Sequence, residues 1–184
     1  MYNNCMEKEV KTMIEDINGF RLPRYTEIPE VGLYLEQVVR YVSAHLAPLG
    51  EPELTSSMVS NYVKQGLIPS PVKKSYTAEH LARLLFIAVV KPVVPLEGLR
   101  LMFGIQEDNY PLQTAYDYFC DEFENMLGAA FGISPARDGL GKTQSDAKDL
   151  LRNTILATVN KVYLDRYLED YQKRRETRNA RNIC

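Results

Sequence analysis

From residue 33 to residue 172 the apolar side chains recur at three- and four-residue spacing, and proline or glycine cuts each run short. Such a period is that of one helix face, so the expected fold is mostly α, built from several helices of moderate length. Val10, Met13, Ile14 and Ile17 mark a first amphipathic helix over 5–18, which stops near Gly19. LPRYTEIPEVG holds two prolines and predicts an extended linker. Leu35, Val38, Val39, Val42 and Leu46 share a face of a helix over about 33–47, and APLGEPE after it predicts a loop. Further helices are expected over about 56–65 and 78–90. Pro95 then opens a short one carrying Leu96, Leu99 and Met102, which Gly104 ends. A longer helix over about 110–128 aligns Leu112, Tyr116, Phe119, Phe123 and Met126/Leu127. GISPARDGLGK predicts a loop. The last helix, from about Ser145 to about Gln172, has Leu151, Ile155, Val159, Val162/Tyr163 and Tyr167 in a stripe. KRRETRNARNIC is expected to be a frayed or disordered tail.

Charge is distributed unevenly. The chain of 184 residues carries a net −2, yet residues 54–91 sum to +4 and residues 173–184 to +4, while residues 1–53 sum to −4 and 92–172 to −6. Two basic islands in an acidic chain matter more for phosphate contact than the total does. The three cysteines, Cys5, Cys120 and Cys184, match no metal spacing and read as reduced thiols. With His45 and His80 the only histidines, no metal site or other cofactor is expected. No run reaches the ~18 apolar residues of a membrane span, and MYNNCMEKEV lacks the basic-then-apolar order of a signal peptide. The expected location is the cytoplasm, with no membrane partner.

The longer of the two basic islands, residues 54–91, also carries the clearest local signals. Thr55 caps the helix over 56–65 through its hydroxyl, and Gly66 suits the left-handed residue that ends it. At 100° per residue, Met58, Val59, Tyr62 and Val63 fall on one side, and Ser57, Ser60, Asn61 and Lys64 on the other. A helix entering the major groove needs an outer face of this kind, free of bulky or acidic side chains. Asn pairs bidentately with adenine, and Ser and Lys reach phosphates or bases. Pro69 and Pro71 block further helix, PVKKSY predicts a small strand or hairpin arm, and Thr77 caps the next helix. A polar face that is merely solvated is the competing reading.

The stretch LTSSMVSNYVKQGLIPSPVKKSYTAEHLARLLFIAVVKPVVPLEGLRLMF resembles the mercury-resistance-regulator (MerR-like) family of winged helix-turn-helix domains. The shared parts are a capped helix, a Tyr–x–x–x–Gly–Leu–Ile–Pro exit, a short basic wing, a Tyr–Thr–x–Glu helix start and a helix opening near Pro95. The resemblance implies a recognition helix in the major groove carrying Ser56, Ser57, Ser60, Asn61 and Lys64. It also implies a wing over about 72–76 that places Lys73, Lys74 and Tyr76 on phosphates. The chain departs from the family at Ser60–Asn61–Tyr62, where Arg–Tyr–Tyr is usual, and in the longer turn APLGEPE. LPRYTEIPEVGLYLEQVVRYV followed by LTSSMVSNYVKQGLIPSP resembles, over more of the chain, a bacterial family known only as a domain of unknown function, whose members look like MerR-type regulators.

Other signals are weaker. GLGKT at 139–143 looks like the end of a phosphate-binding loop, but Ala136 stands where the motif needs glycine, so it reads as a plain loop. Tyr116, Phe119 and Phe123 read as core or dimer interface, with an effector pocket as the sharper alternative. Asp121, Glu122 and Glu124 read as a solvated face, and His80 as a first-turn cap. Lys173, Arg174, Arg175, Arg178 and Arg181 read as a solvated tail or as extra phosphate contacts. No nucleophile lies beside a base in a recognisable frame, so an enzyme is not expected.

The sequence therefore predicts a winged helix-turn-helix domain over 33–104, preceded by a helix and linker over 1–32. Residues 105–172 would form a helical region for dimerisation and a small-molecule effector, and 173–184 a basic tail. The expected function is a sequence-specific regulator that binds double-stranded DNA as a homodimer. The rival is a protein-interaction module that keeps the fold without binding DNA.

Overall fold

The computed structural model describes residues 17–50, 54–137 and 145–181. Among these residues it contains six α-helices: α1 (Leu35–Leu46), α2 (Ser56–Lys64), α3 (Ala78–Val90), α4 (Leu96–Asn109), α5 (Leu112–Ala130) and α6 (Asp146–Arg181). Two 3-10 turns, Tyr25–Glu27 and Ala47–Leu49, complete the regular structure. Extended pairing is limited to two isolated antiparallel bridges among the described residues, Leu33 with Tyr76 and Val72 with Ser75. The first helix expected over 5–18 lies outside the described residues up to Asp16, as do Cys5, Cys184 and the GLGKT segment.

The mostly α expectation holds, and α3 is its centre. Its sequence AEHLARLLFIAVV is apolar nearly all round, and ten of its thirteen residues are buried. A helix without a polar face must be surrounded; α1, α5 and α6 all pack on it. Its one buried arginine, Arg83, pairs with Glu107 of α4 at 2.7 Å and with Glu79 at 3.3 Å, with the guanidinium 4.9 Å from the Phe103 ring centroid. The longest pairing is α5 on α6, where Phe119, Phe123 and Leu127 face Ile155 and Val159 in one continuous core. Cys120 is a free thiol inside that core, and burial pushes its pKa up to about 12, so it behaves as a small hydrophobe and not as a nucleophile.

Several expectations need correction. LPRYTEIPEVG is no free linker: Leu22 and Ile28 are fully buried, and the segment is strapped to α5. The carboxylates expected to be solvated hold the strap. Arg24 makes a fork of 2.7 Å contacts to both oxygens of Glu124 and a third to Asp121. The Leu22 amide donates to Glu124 at 2.8 Å and the Tyr25 amide to Asp117 at 2.7 Å. Glu122 is wholly buried and pairs with Arg152 of α6 at 2.6 Å. Gly104 does not end α4, which continues to Asn109. A helical glycine costs about 1 kcal/mol relative to alanine and does not by itself stop a helix. Pro111 does so, by forcing Tyr110 into the extended region at φ −144°. Finally, α6 runs on as helix through Lys173–Arg181, where a frayed tail was expected; Asp170 pairs with Arg174 one turn later and supports it.

Candidate nucleic-acid interface

The basic segment 54–91 contributes α2, a short turn and α3 to the helical core. Val59 and Tyr62 fix α2 to the core, backed by Leu54 before it and Leu67 and Ile68 after it. The Thr55 hydroxyl accepts from the Met58 amide at 3.2 Å, as its position before the helix predicts. At the other end Gly66 takes φ +69°; the Leu67 amide donates to the Tyr62 carbonyl at 2.9 Å, and the Gly66 amide to Val63 at 3.0 Å. This paired closure needs a left-handed residue, which glycine supplies without a Cβ penalty.

With its inner face so committed, α2 turns Ser57, Asn61 and Lys64 fully outward, and Ser56 and Ser60 are half-buried beside them. Their side chains are not equally available. Ser60 Oγ donates to the Ser56 carbonyl at 2.9 Å, and Asn61 Oδ1 accepts from Gln65 Nε2 at 3.2 Å, which leaves the Asn61 amide nitrogen outward. Lys64 sits in the last turn, where the helix dipole favours a cation. A cation missed in the sequence also reaches this helix end: Arg100 of α4 donates to the Gln65 carbonyl at 2.8 Å while pairing with Glu97 at 2.9 Å. Its partner lies thirty-five positions away in the chain, so no local pattern marks it.

The predicted hairpin arm is a two-residue turn. Val72 and Ser75 bridge, the Ser75 amide donates to the Val72 carbonyl at 2.9 Å, and Lys73 and Lys74 form the tip. Both lysines are exposed and both have positive φ, +51° and +64°. Two successive left-handed residues match strand twist in such hairpins, but Asn-Gly is the usual occupant. Here the strained positions carry two long cations instead. The turn is anchored behind by reciprocal 2.9 Å bonds between Leu33 and Tyr76. Gly32 permits this approach, since a Cβ there would lie 1.7 Å from Ser75 Oγ.

Tyr76 does not join the exposed set: it is buried, with its ring edge-on to His80 at 5.3 Å, and so anchors the turn. His80 in turn accepts from the Thr77 amide at 3.0 Å through Nδ1, the expected cap of α3. Burial lowers its pKa below the ordinary value, partly offset by Glu79. Sequence reasoning also missed the apolar residues flanking the turn: Val31, Tyr34 and Val72 are all largely exposed. Their strands are too short for a periodic signal.

The molecule is thus a mostly helical protein with a small polar helix and a lysine-tipped turn displayed on a helical core. It belongs to the family described as domain of unknown function DUF1836, whose model matches residues 23–119, just over half of the chain. The matched span runs from the strap through α1–α4 into α5 and leaves α6 outside. No curated protein and no solved structure matches the chain. Among the described residues no helix is long and apolar enough to cross a membrane.

Proposed function

We propose that this chain is a sequence-specific DNA-binding transcriptional regulator of the cytoplasm, built on a MerR-like winged helix-turn-helix over 33–104. In this reading α2 enters the major groove. Asn61 and Ser57 meet base edges, Lys64 meets phosphate, and Lys73 and Lys74 form the wing on the backbone. The observation that carries the reading is the paired lysine turn, where two cations occupy strained left-handed positions that glycine or asparagine would fill at lower cost.

One α2 helix reads few bases, so the regulator acts as a homodimer. The first part of the stripe expected for this role is spent inside the chain, since Ile155 and Val159 are buried. Its continuation at Tyr163 and Tyr167 is exposed and, with exposed Leu156, Leu164, Leu168 and Tyr171, supports the dimer. Three cations per protomer give six phosphate contacts, and so a log–log salt slope of about −5. Fluorescence anisotropy with duplex DNA across salt concentrations tests this. Lys73→Ala/Lys74→Ala removes four cations per dimer and is expected to flatten the slope by about 4. Absence of duplex affinity in the wild type at low salt overturns the proposal.

A second reading, a protein-interaction module without DNA, is favoured by exposed Val31, Tyr34 and Val72 around the same turn. It predicts that Val72→Ser weakens partner binding while the lysine substitutions do not.

A further inference from the structure

A cavity of about 220 Å³ lies between α3, α4, α5 and α6, away from the α2 face. Its walls are aromatic and aliphatic, with Phe86 of α3, Phe103 of α4, and Tyr116 and Phe119 of α5 prominent. These rings already pack on one another, Phe86 lying 5.6 Å from Phe103 and 4.9 Å edge-on from Phe119. They therefore form a preset wall, one side of which remains open. A dry apolar cavity of about 150 Å³ accepts a single benzene ring, so this one has room for a fused pair.

Three side-chain polar atoms of wall residues are buried without a hydrogen-bond partner: Gln106 Oε1, the Tyr118 hydroxyl and Arg83 Nε. Gln106 Nε2 donates to the Tyr110 carbonyl at 2.7 Å, which fixes the amide and leaves Oε1 buried and unbonded. The Tyr118 hydroxyl is also buried and unbonded. Buried polar groups are costly to leave unsatisfied, and in a pocket they mark where a ligand's own groups belong. The charge of Arg83 is balanced within the protein, although its Nε makes no hydrogen bond. Arg83 is paired with Glu107 and Glu79, and the Lys148 ammonium lies 5.2 Å from the Tyr118 ring centroid.

We propose that this cavity is a binding site for a small, uncharged bicyclic aromatic molecule carrying a hydrogen-bonding group, which donates to Gln106 Oε1 or accepts from the Tyr118 hydroxyl. The site stands on its own geometry and holds whether or not α2 meets DNA. It shares α3 with the lysine turn, since Phe86 lines the cavity and His80, two turns earlier, packs on Tyr76.

The 184-residue chain contains no tryptophan, so the emission of 2-naphthol can be read against a low background. Titration of wild type with 2-naphthol is expected to saturate, and binding is expected to move the methyl resonance of Met102, a wall residue, while Met58 and Met126 stay put. Gln106→Met and Tyr118→Phe should each weaken 2-naphthol by roughly three- to tenfold and leave naphthalene binding unchanged, since only the former offers a hydroxyl. The proposal is overturned if wild type fails to saturate at millimolar probe, or if probe binds with Met102 unmoved. Binding lost as protein concentration rises would equally overturn it, because a second copy of the chain would then be the occupant.

Discussion

Lys73 and Lys74 hold φ angles that cost a side-chain-bearing residue about 1 kcal/mol each relative to glycine or asparagine. Replacing the pair with Asn-Gly is therefore expected to stabilise the fold by about 2 kcal/mol, read as a higher urea midpoint, while weakening binding to duplex DNA. Stabilisation without loss of DNA affinity would show that the lysines are held there for some other reason. His80 gives a separate expectation. Burial lowers its folded pKa below the ordinary 6.5, so the unfolded chain takes up the proton first. Its contribution to stability is then complete above pH 6.5 and is lost as pH falls from there through the folded value. Gln at the same helix position can still accept from the Thr77 amide and does not titrate. The thermal midpoint of His80→Gln should thus fall less between pH 7 and pH 5 than that of wild type, and parallel curves would rule out this role.

At the scale of elements, the strap over residues 20–28 depends on one side chain. Arg24 is about one-fifth exposed and binds two carboxylates of α5. Arg24→Met keeps most of the stem but removes the fork and leaves Glu124 and Asp121 uncompensated. A loss of about 2 kcal/mol is expected in urea unfolding, after allowance for partial solvent screening. Faster amide exchange at Leu22 and Tyr25, whose N–H groups are bound to Glu124 and Asp117, should accompany it. Unchanged exchange would mean that Leu22 and Ile28 hold the strap without the ion pairs. Signals that act over a few residues are legible in the sequence: Thr55, Gly66, Thr77 and Pro95 sit at helix ends as their chemistry predicts. The strap is not, because its partners lie about a hundred residues away, and proline-rich composition describes a covered strap as well as a free linker.

For the molecule as a whole, α6 carries the largest open apolar surface among the described residues. At 36 residues it spans about 54 Å. No side chain from Asn160 to Thr177 is buried in the chain's own core, although Leu164, Leu168 and Tyr171 are apolar and exposed there. A contiguous exposed apolar stripe of this kind marks an association surface. Wild type is expected to sediment as a dimer at micromolar concentration, and Leu164→Glu/Leu168→Glu as a folded monomer with weaker DNA affinity. A monomeric wild type at 100-fold higher concentration would count against the dimer.

The lysine-tipped turn and the polar face of α2 could be read from the chain alone, because capping, helical period and turn chemistry act over a few residues. The same holds for the mostly α fold. Tertiary structure alone decided that the Tyr76 ring is a buried anchor, and that the acidic side chains of α5 are clamps. It also decided which part of the α6 stripe is core and which remains open. Both parts are apolar at helical spacing, and periodicity records that a face exists without recording what covers it. Burial is a relation between distant segments, here α5 against α6 and the strap against α5, and it is settled only when those segments meet.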